Sequence, residues 1–151
     1  MTMAFNQPSG GAPGGRGERV DIAAAVAEFH NAFNLSMQQL PSSDIDPGVA
    51  RLRVALLEEE VSEFATASER SDLIGIADAL ADIVYVAYGT ALTYGIDLHA
   101  ALQEVHRSNM SKLGSDGLPL IRSDGKVLKS EHYFPPDIAG VLSRQEPLSV
   151  A

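Results

Sequence analysis

With 151 residues and 45% hydrophobic content, the chain has the length of one domain and enough apolar material for a core. Twenty acids against 11 bases give a formal charge of −9, which speaks against binding to nucleic-acid backbones or anionic membranes, yet leaves room for a nucleotide whose charge a metal carries. No cysteine is available for a disulfide, no apolar run approaches the roughly 20 residues that span a bilayer, and the first residues lack the basic-then-apolar pattern of a secretory signal, so a soluble cytoplasmic protein is expected.

Residues 1–19 hold five of the 13 glycines and two of the prolines with little to bury, and read as a flexible tail. Asp21 can cap a helix running to about Leu35, with Ile22, Val26, Phe29 and Phe33 as its core line. Gln38 to Gly48, containing Pro41 and Pro47, reads as a loop. A long acidic helix follows from about Val49 to Ser68. Ser71 or Asp72 can cap the next, which stops at Gly95. Asp97 caps a fourth helix through about Met110, packed by Leu98, Ala101, Leu102 and Val105.

Short connections between four helices imply an all-α fold, an up-and-down four-helix bundle or close variant. Beyond it the character changes. Leu118–Arg122 and Lys126–Lys129 flank Ser123-Asp124-Gly125, a hairpin signal, and Pro135-Pro136-Asp137 open a short helix from Ile138 to Leu142. The division expected is thus a tail (1–19), a helical core (20–112) and a C-terminal extension (113–151) packed on that core or on a partner subunit.

The acidic helix carries the chemistry. Leu52, Leu56, Glu59 and Glu63 are spaced four, three and four apart and share one stripe, while Val54, Leu57, Val61 and Phe64 run down roughly the opposite side. Covered on both faces, such a helix would bury carboxylates that need a cation, a proton or a donor network. Ile74, Asp78, Asp82 and Tyr85 repeat the pattern on the next helix, opposite the apolar stripe Leu73, Ala77, Leu80, Val84, Ala87 and Ala91. Facing acids on two helices suit a hard divalent ion such as Mg²⁺, with Mn²⁺ as a substitute, and all-oxygen donors argue against structural zinc. A solvated acidic face is the plainer reading of the run, and Glu58, off the Leu52/Leu56 line, is read as an ordinary surface acid.

Other metal and phosphate chemistries fit less well. Glu28-Phe29-His30 and Glu104-Val105-His106 have the wrong spacing for the Glu-x-x-His of di-iron bundles. No EF-hand loop or Walker A sequence occurs, and the glycine-rich tail lacks the lysine of a phosphate loop. His30, beside the Phe29/Phe33 line, reads as structural. Asn109 and Lys112 put polar groups at the end of the fourth helix's apolar line: an amide that can donate and accept, and a point charge for phosphate. A helix cap and a surface lysine would look the same.

Taken together, Glu59-Glu60-x-x-Glu63, the helix containing Leu80-Ala81-Asp82-Ile83-Val84-Tyr85, the run Val105-His106-Arg107-Ser108-Asn109-Met110-Ser111-Lys112 and the segment Asp124-Gly125-Lys126 resemble the MazG-like all-α nucleoside triphosphate pyrophosphohydrolases. The likeness covers about residues 21–143 and is closest to the short members with dUTPase-type activity. It implies a homodimer or dimer of dimers and Mg²⁺-dependent cleavage between the α and β phosphates, releasing a monophosphate and pyrophosphate. It makes Glu59, Glu63 and Asp82 metal ligands and Glu60 the base for a water. Asn109, Lys112, Tyr85 and Lys126 become nucleotide contacts.

The resemblance favours dUTP or another pyrimidine deoxynucleotide. Purine triphosphates, or a helical module without activity, are the alternatives. One position departs: Ala79 stands where the family has the Glu of Glu-x-x-Asp, and Asp78, one residue earlier, is expected to substitute.

Overall fold

The computed structural model describes residues 20–149, and the segment read as a tail lies outside the described residues. Five helices form: α1 (Ile22–Ala32), α2 (Pro47–Glu69), α3 (Leu73–Thr93), α4 (Leu98–Met110) and α5 (Ile138–Arg144). Each starts at an aspartate whose carboxylate accepts from amides of the first turn, which otherwise lack partners. Asp21 accepts from Ala23 and Ala24, Asp72 from Gly75, Asp97 from Ala100 and Asp137 from Gly140.

At α2 the helix begins two residues before the expected start. Asp46 accepts from Gly48 at 2.7 Å and Val49 at 3.0 Å, and Pro47 takes the first helical position, where a missing N–H costs nothing. At α1 the helix stops short of Leu35, since Phe33 is the cap and Asn34 turns left-handed at φ 53°.

α2 and α3 pack along one another, and α1 lies across α3. The core gathers Val26 and Ala27 from α1 with Leu92 from α3, covered by Met37, Tyr85, Tyr88 and Leu148. The buried face of α1 is therefore Val26, Ala27 and His30, while Ile22, Phe29 and Phe33 are exposed. Phe29 and Phe33 instead stack on each other at 4.4 Å, and Tyr85 meets Phe29 edge-on at 5.8 Å.

α3 ends where Gly95 adopts φ +68°, and a Cβ there would run into the main-chain carbonyl of Leu40. Gly95→Ala carries both a left-handed penalty and a backbone collision, together roughly 2–5 kcal/mol. Urea denaturation of the variant is expected to show that loss.

The C-terminal segment is tied to α4 by side-chain-to-backbone bonds. Ser108 donates to the Phe134 carbonyl at 2.8 Å, Ser130 to that of Ser111 at 3.0 Å, and the Asp137 amide donates to Glu104 at 2.6 Å. Gln145 spans the α3–α4 connection, donating to the Gly95 carbonyl and accepting from the Asp97 amide. The Asp-Gly turn forms as expected, with Gly125 at φ +86° and Leu128 bonded to Leu120, but it yields a single bridge between Ile121 and Val127 rather than strands.

Glu104 is held at about 2, below its ordinary 4.5, by the Arg107 guanidinium and then by the Asp137 amide. A carboxylate depressed in the folded state contributes stability above its unfolded pKa and loses it as pH falls toward the folded value. The α4–α5 tie is expected to loosen between pH 4.5 and about 2, read as faster exchange of the Asp137 amide.

Two expectations from the apolar patterning change. Neither α2 nor α3 is covered on both faces within one chain: Leu52, Val54 and Val61 on α2, and Leu73, Ile74, Leu80 and Val84 on α3, are exposed. In addition, α3, at 21 residues with a window hydropathy of 1.4, is long and apolar enough by composition to cross a membrane. Asp78 and Asp82 lie within it, and aspartate near a span's centre costs about 2.5–3.5 kcal/mol on insertion scales.

Candidate active site

The α2–α3 register is fixed at its two ends. A Cβ on Gly75 would touch Ala67 at 3.1 Å, and Arg53 bonds to Val86 and Thr90. Between these antiparallel contacts, Glu60 and Glu63 come level with Asp82 and Asp78. The buried seam of α2 is thus Arg53 and Ala67, seven residues either side of Glu60, rather than the Leu52–Leu56–Glu59–Glu63 stripe. Glu60, expected as the base, lies on the seam itself, with exposed Glu59 and Glu63 flanking it.

Glu60 carries the clearest electrostatic signature. Its Oε2 is fully covered and has no hydrogen-bond partner. Burial raises its pKa above the ordinary carboxylate value, and the charges of Asp82, Glu63, Glu59 and Asp78 raise it further, in that order. All four acids expected as ligands therefore act on the one carboxylate expected as base. Glu63 and Asp78 also line a shared cavity of about 260 Å³ with Thr66, Arg70 and Asp72.

Among the described residues no three acids or histidines converge closely enough to hold an ion as they stand. The donor set nonetheless suits a hard cation: all oxygen, crowded, with one orphaned carboxylate oxygen and a raised pKa that positive charge would relieve. Ala79 is only 3% exposed, so the position that departs from the family pattern faces inward, whereas Asp78 is exposed beside Glu63.

The expected nucleotide contacts lie elsewhere. Lys112 Nζ donates to Asn109 Oδ1 at 2.7 Å just past the end of α4, so these two side chains pair with one another. Tyr85 packs on the core beside Phe29, and Lys126 is exposed in the Asp-Gly turn. None is bonded to the acidic seam among the described residues.

Sequence reasoning missed the importance of Arg53 and His30, both buried where α1, α2 and α3 meet. The available signal was an arginine between Leu52 and Val54, with Gly89 on the facing helix.

Known proteins bear on this arrangement. The family model of phosphoribosyl-ATP pyrophosphohydrolase matches residues 26–109, from α1 through the end of α4. Uncharacterized protein L479 of Acanthamoeba polyphaga mimivirus is 31% identical over 116 residues, 75% of this chain, and the chain spans 44% of that relative's length. A crystal structure from Exiguobacterium sp. 255-15, assigned as a candidate NTP pyrophosphohydrolase, shares 24% identity over 81% of this chain and 92% of its own, with a TM-score of 0.42. The family rests on the sequence match, which spans more than half of the chain and all four helices of the acidic core: the protein belongs to the phosphoribosyl-ATP pyrophosphohydrolase family, within the MazG-like all-α NTP pyrophosphohydrolases.

Proposed function

We propose that the chain is a Mg²⁺-dependent nucleoside triphosphate pyrophosphohydrolase that cleaves the α–β phosphate bond. The observation that carries the reading is Glu60, an orphaned carboxylate of raised pKa surrounded by four further acids on the α2–α3 seam. Glu59, Glu63, Asp82 and Asp78 would hold the metal, with Asp78 taking the part left by Ala79. Bound there, Mg²⁺ would neutralise the triphosphate and lower the pKa of the attacking water.

The residues of the chain then divide the work. Glu60, its pKa raised by burial and by the neighbouring acids, accepts a proton from that water as its oxygen attacks phosphorus. The P–O–P bond breaks, and monophosphate and pyrophosphate leave. Asn109, Lys112 and Tyr85 would contact the nucleotide, joined by Lys126 once the C-terminal extension, or that of a second subunit, stands against the seam.

The uncovered apolar faces support the homodimer or dimer of dimers that the resemblance implies. Val54, Leu57, Val61 and Ala65 line a groove of about 440 Å³ on α2, and α3 exposes Leu73, Leu80 and Val84. Light scattering after gel filtration should give twice or four times the mass of one chain. Cytoplasmic localisation accords with the acidic, cysteine-free composition.

Pyrimidine deoxynucleotides, dUTP first, are the favoured substrates, and the family's name makes an adenine nucleotide the second reading. Incubation with each common NTP, dNTP and phosphoribosyl-ATP, with and without Mg²⁺, tests both. Monophosphate plus pyrophosphate from dUTP supports the first reading; turnover confined to adenine nucleotides supports the second. Diphosphate plus phosphate would rule out the proposed reaction.

A further inference from the structure

Arg53 is 8% exposed, and its guanidinium is held by neutral acceptors alone. Nε donates to Thr90 Oγ1 at 3.0 Å and Nη2 to the Val86 carbonyl at 2.8 Å. These use two of five donors, and no ion pair involving Arg53 forms among the described residues. A buried cation without a countercharge is costly. The site acids do not supply one, because Glu60 lies seven residues along α2, about 10 Å at 1.5 Å per residue.

Beside it, His30 is 2% exposed and its Nδ1 has no hydrogen-bond partner. Burial and then the Arg53 charge lower its pKa, while a backbone hydrogen bond to Ser36 raises it. Gly89 makes the junction possible: a Cβ there would lie 2.6 Å from Arg53 Nη2 and 2.8 Å from His30 Nε2. Both side chains line a cavity of about 300 Å³ together with Asn34, Leu35, Ser36, Val49, Leu52 and Thr93. An apolar pocket with a few convergent donors is the usual form of a small-ligand site.

We propose that this cavity binds a single phosphate group, Arg53 supplying the charge and unused donors, with the buried His30 ring against it. The guanidinium fork matches phosphate oxygens, and the bound dianion would supply the countercharge Arg53 lacks. The group could be free phosphate or a phosphate of a nucleotide held at the seam. The pocket is separate from the acidic seam, so a free-phosphate site stands or falls apart from the proposed reaction, whereas the nucleotide source rests on it.

The test is a titration of the full chain followed by the His30 ring ¹⁵N resonances, assigned through their loss in His30→Gln. Inorganic phosphate in EDTA is compared with chloride at matched ionic strength, then with a nonhydrolysable nucleoside triphosphate plus Mg²⁺. A saturable shift with phosphate but not chloride establishes a free-phosphate site, and Arg53→Met should abolish it. A shift only with nucleotide and Mg²⁺ assigns the phosphate to the substrate. Unmoved His30 signals in both titrations, or an equal shift with chloride, would overturn the proposal. The wild-type titration decides even where Arg53→Met fails to fold.

Discussion

Replacing Glu60 by Gln should lower kcat by about 10²–10⁴-fold, the range for removing a positioned general base, while the metal-free protein becomes more stable. The two effects share one cause. Burial and four neighbouring acids raise the Glu60 pKa in the folded state. The folded chain therefore holds this proton more tightly than the unfolded chain does. Stability falls as pH rises from the unfolded pKa through the raised folded one, and the loss persists at neutral pH. A neutral Gln removes the penalty, so the melting temperature in EDTA at pH 7 should exceed that of the wild type. An ordinary surface acid would give neither result, because it neither reacts nor carries an unfavourable charge. Normal turnover in Glu60→Gln would remove the residue from the mechanism.

The second large effect is linkage to metal and nucleotide. Mg²⁺ with a nonhydrolysable triphosphate at about 100 times Kd should stabilise the wild type by about 2.7 kcal/mol. For a chain of this size that is a rise of roughly 5–11 °C in melting temperature. Asp82→Asn should lose most of the rise, since Asp82 is the largest charge acting on Glu60 and the second helix's principal expected ligand. Asp78→Asn is the more informative partner. An equal loss would show that Asp78 performs the task of the carboxylate missing at Ala79, and an unchanged shift would leave it as a bystander beside Glu63.

Caps were the most legible part of the fold. Asp21, Asp72 and Asp97 each precede an apolar-periodic run, and each caps a helix as expected. Asp46 was hidden because Pro47 and Gly48 look like loop residues, although proline suits the first helical position.

The packing seam was harder to read for a physical reason. α2 carries apolar residues on two sides, so periodicity alone could not choose between them, and the side that α3 covers is centred on Arg53, Glu60 and Ala67. A hydrophobic pattern cannot point to an arginine. α3 meets that side with Gly75, Ala79 and Gly89, whose small size permits close approach but leaves no apolar stripe to detect. The same blindness hid His30, which takes the buried place on α1 that the stripe assigned to Phe29 and Phe33.

The helical spacing of the acids Glu59, Glu63, Asp78 and Asp82 was legible, but all four are exposed, against the burial that the patterning implied. That Glu60 is the covered carboxylate was not legible, since this depends on the register between α2 and α3.

The most direct measurement is anomalous diffraction from crystals grown with Mn²⁺ and a nonhydrolysable triphosphate. The account predicts peaks on the α2–α3 seam within bonding distance of Glu59, Glu63, Asp82 and Asp78, with Glu60 facing a water near the α phosphorus. Nucleotide bound with no peak on the seam, or peaks confined to other acids, would contradict it.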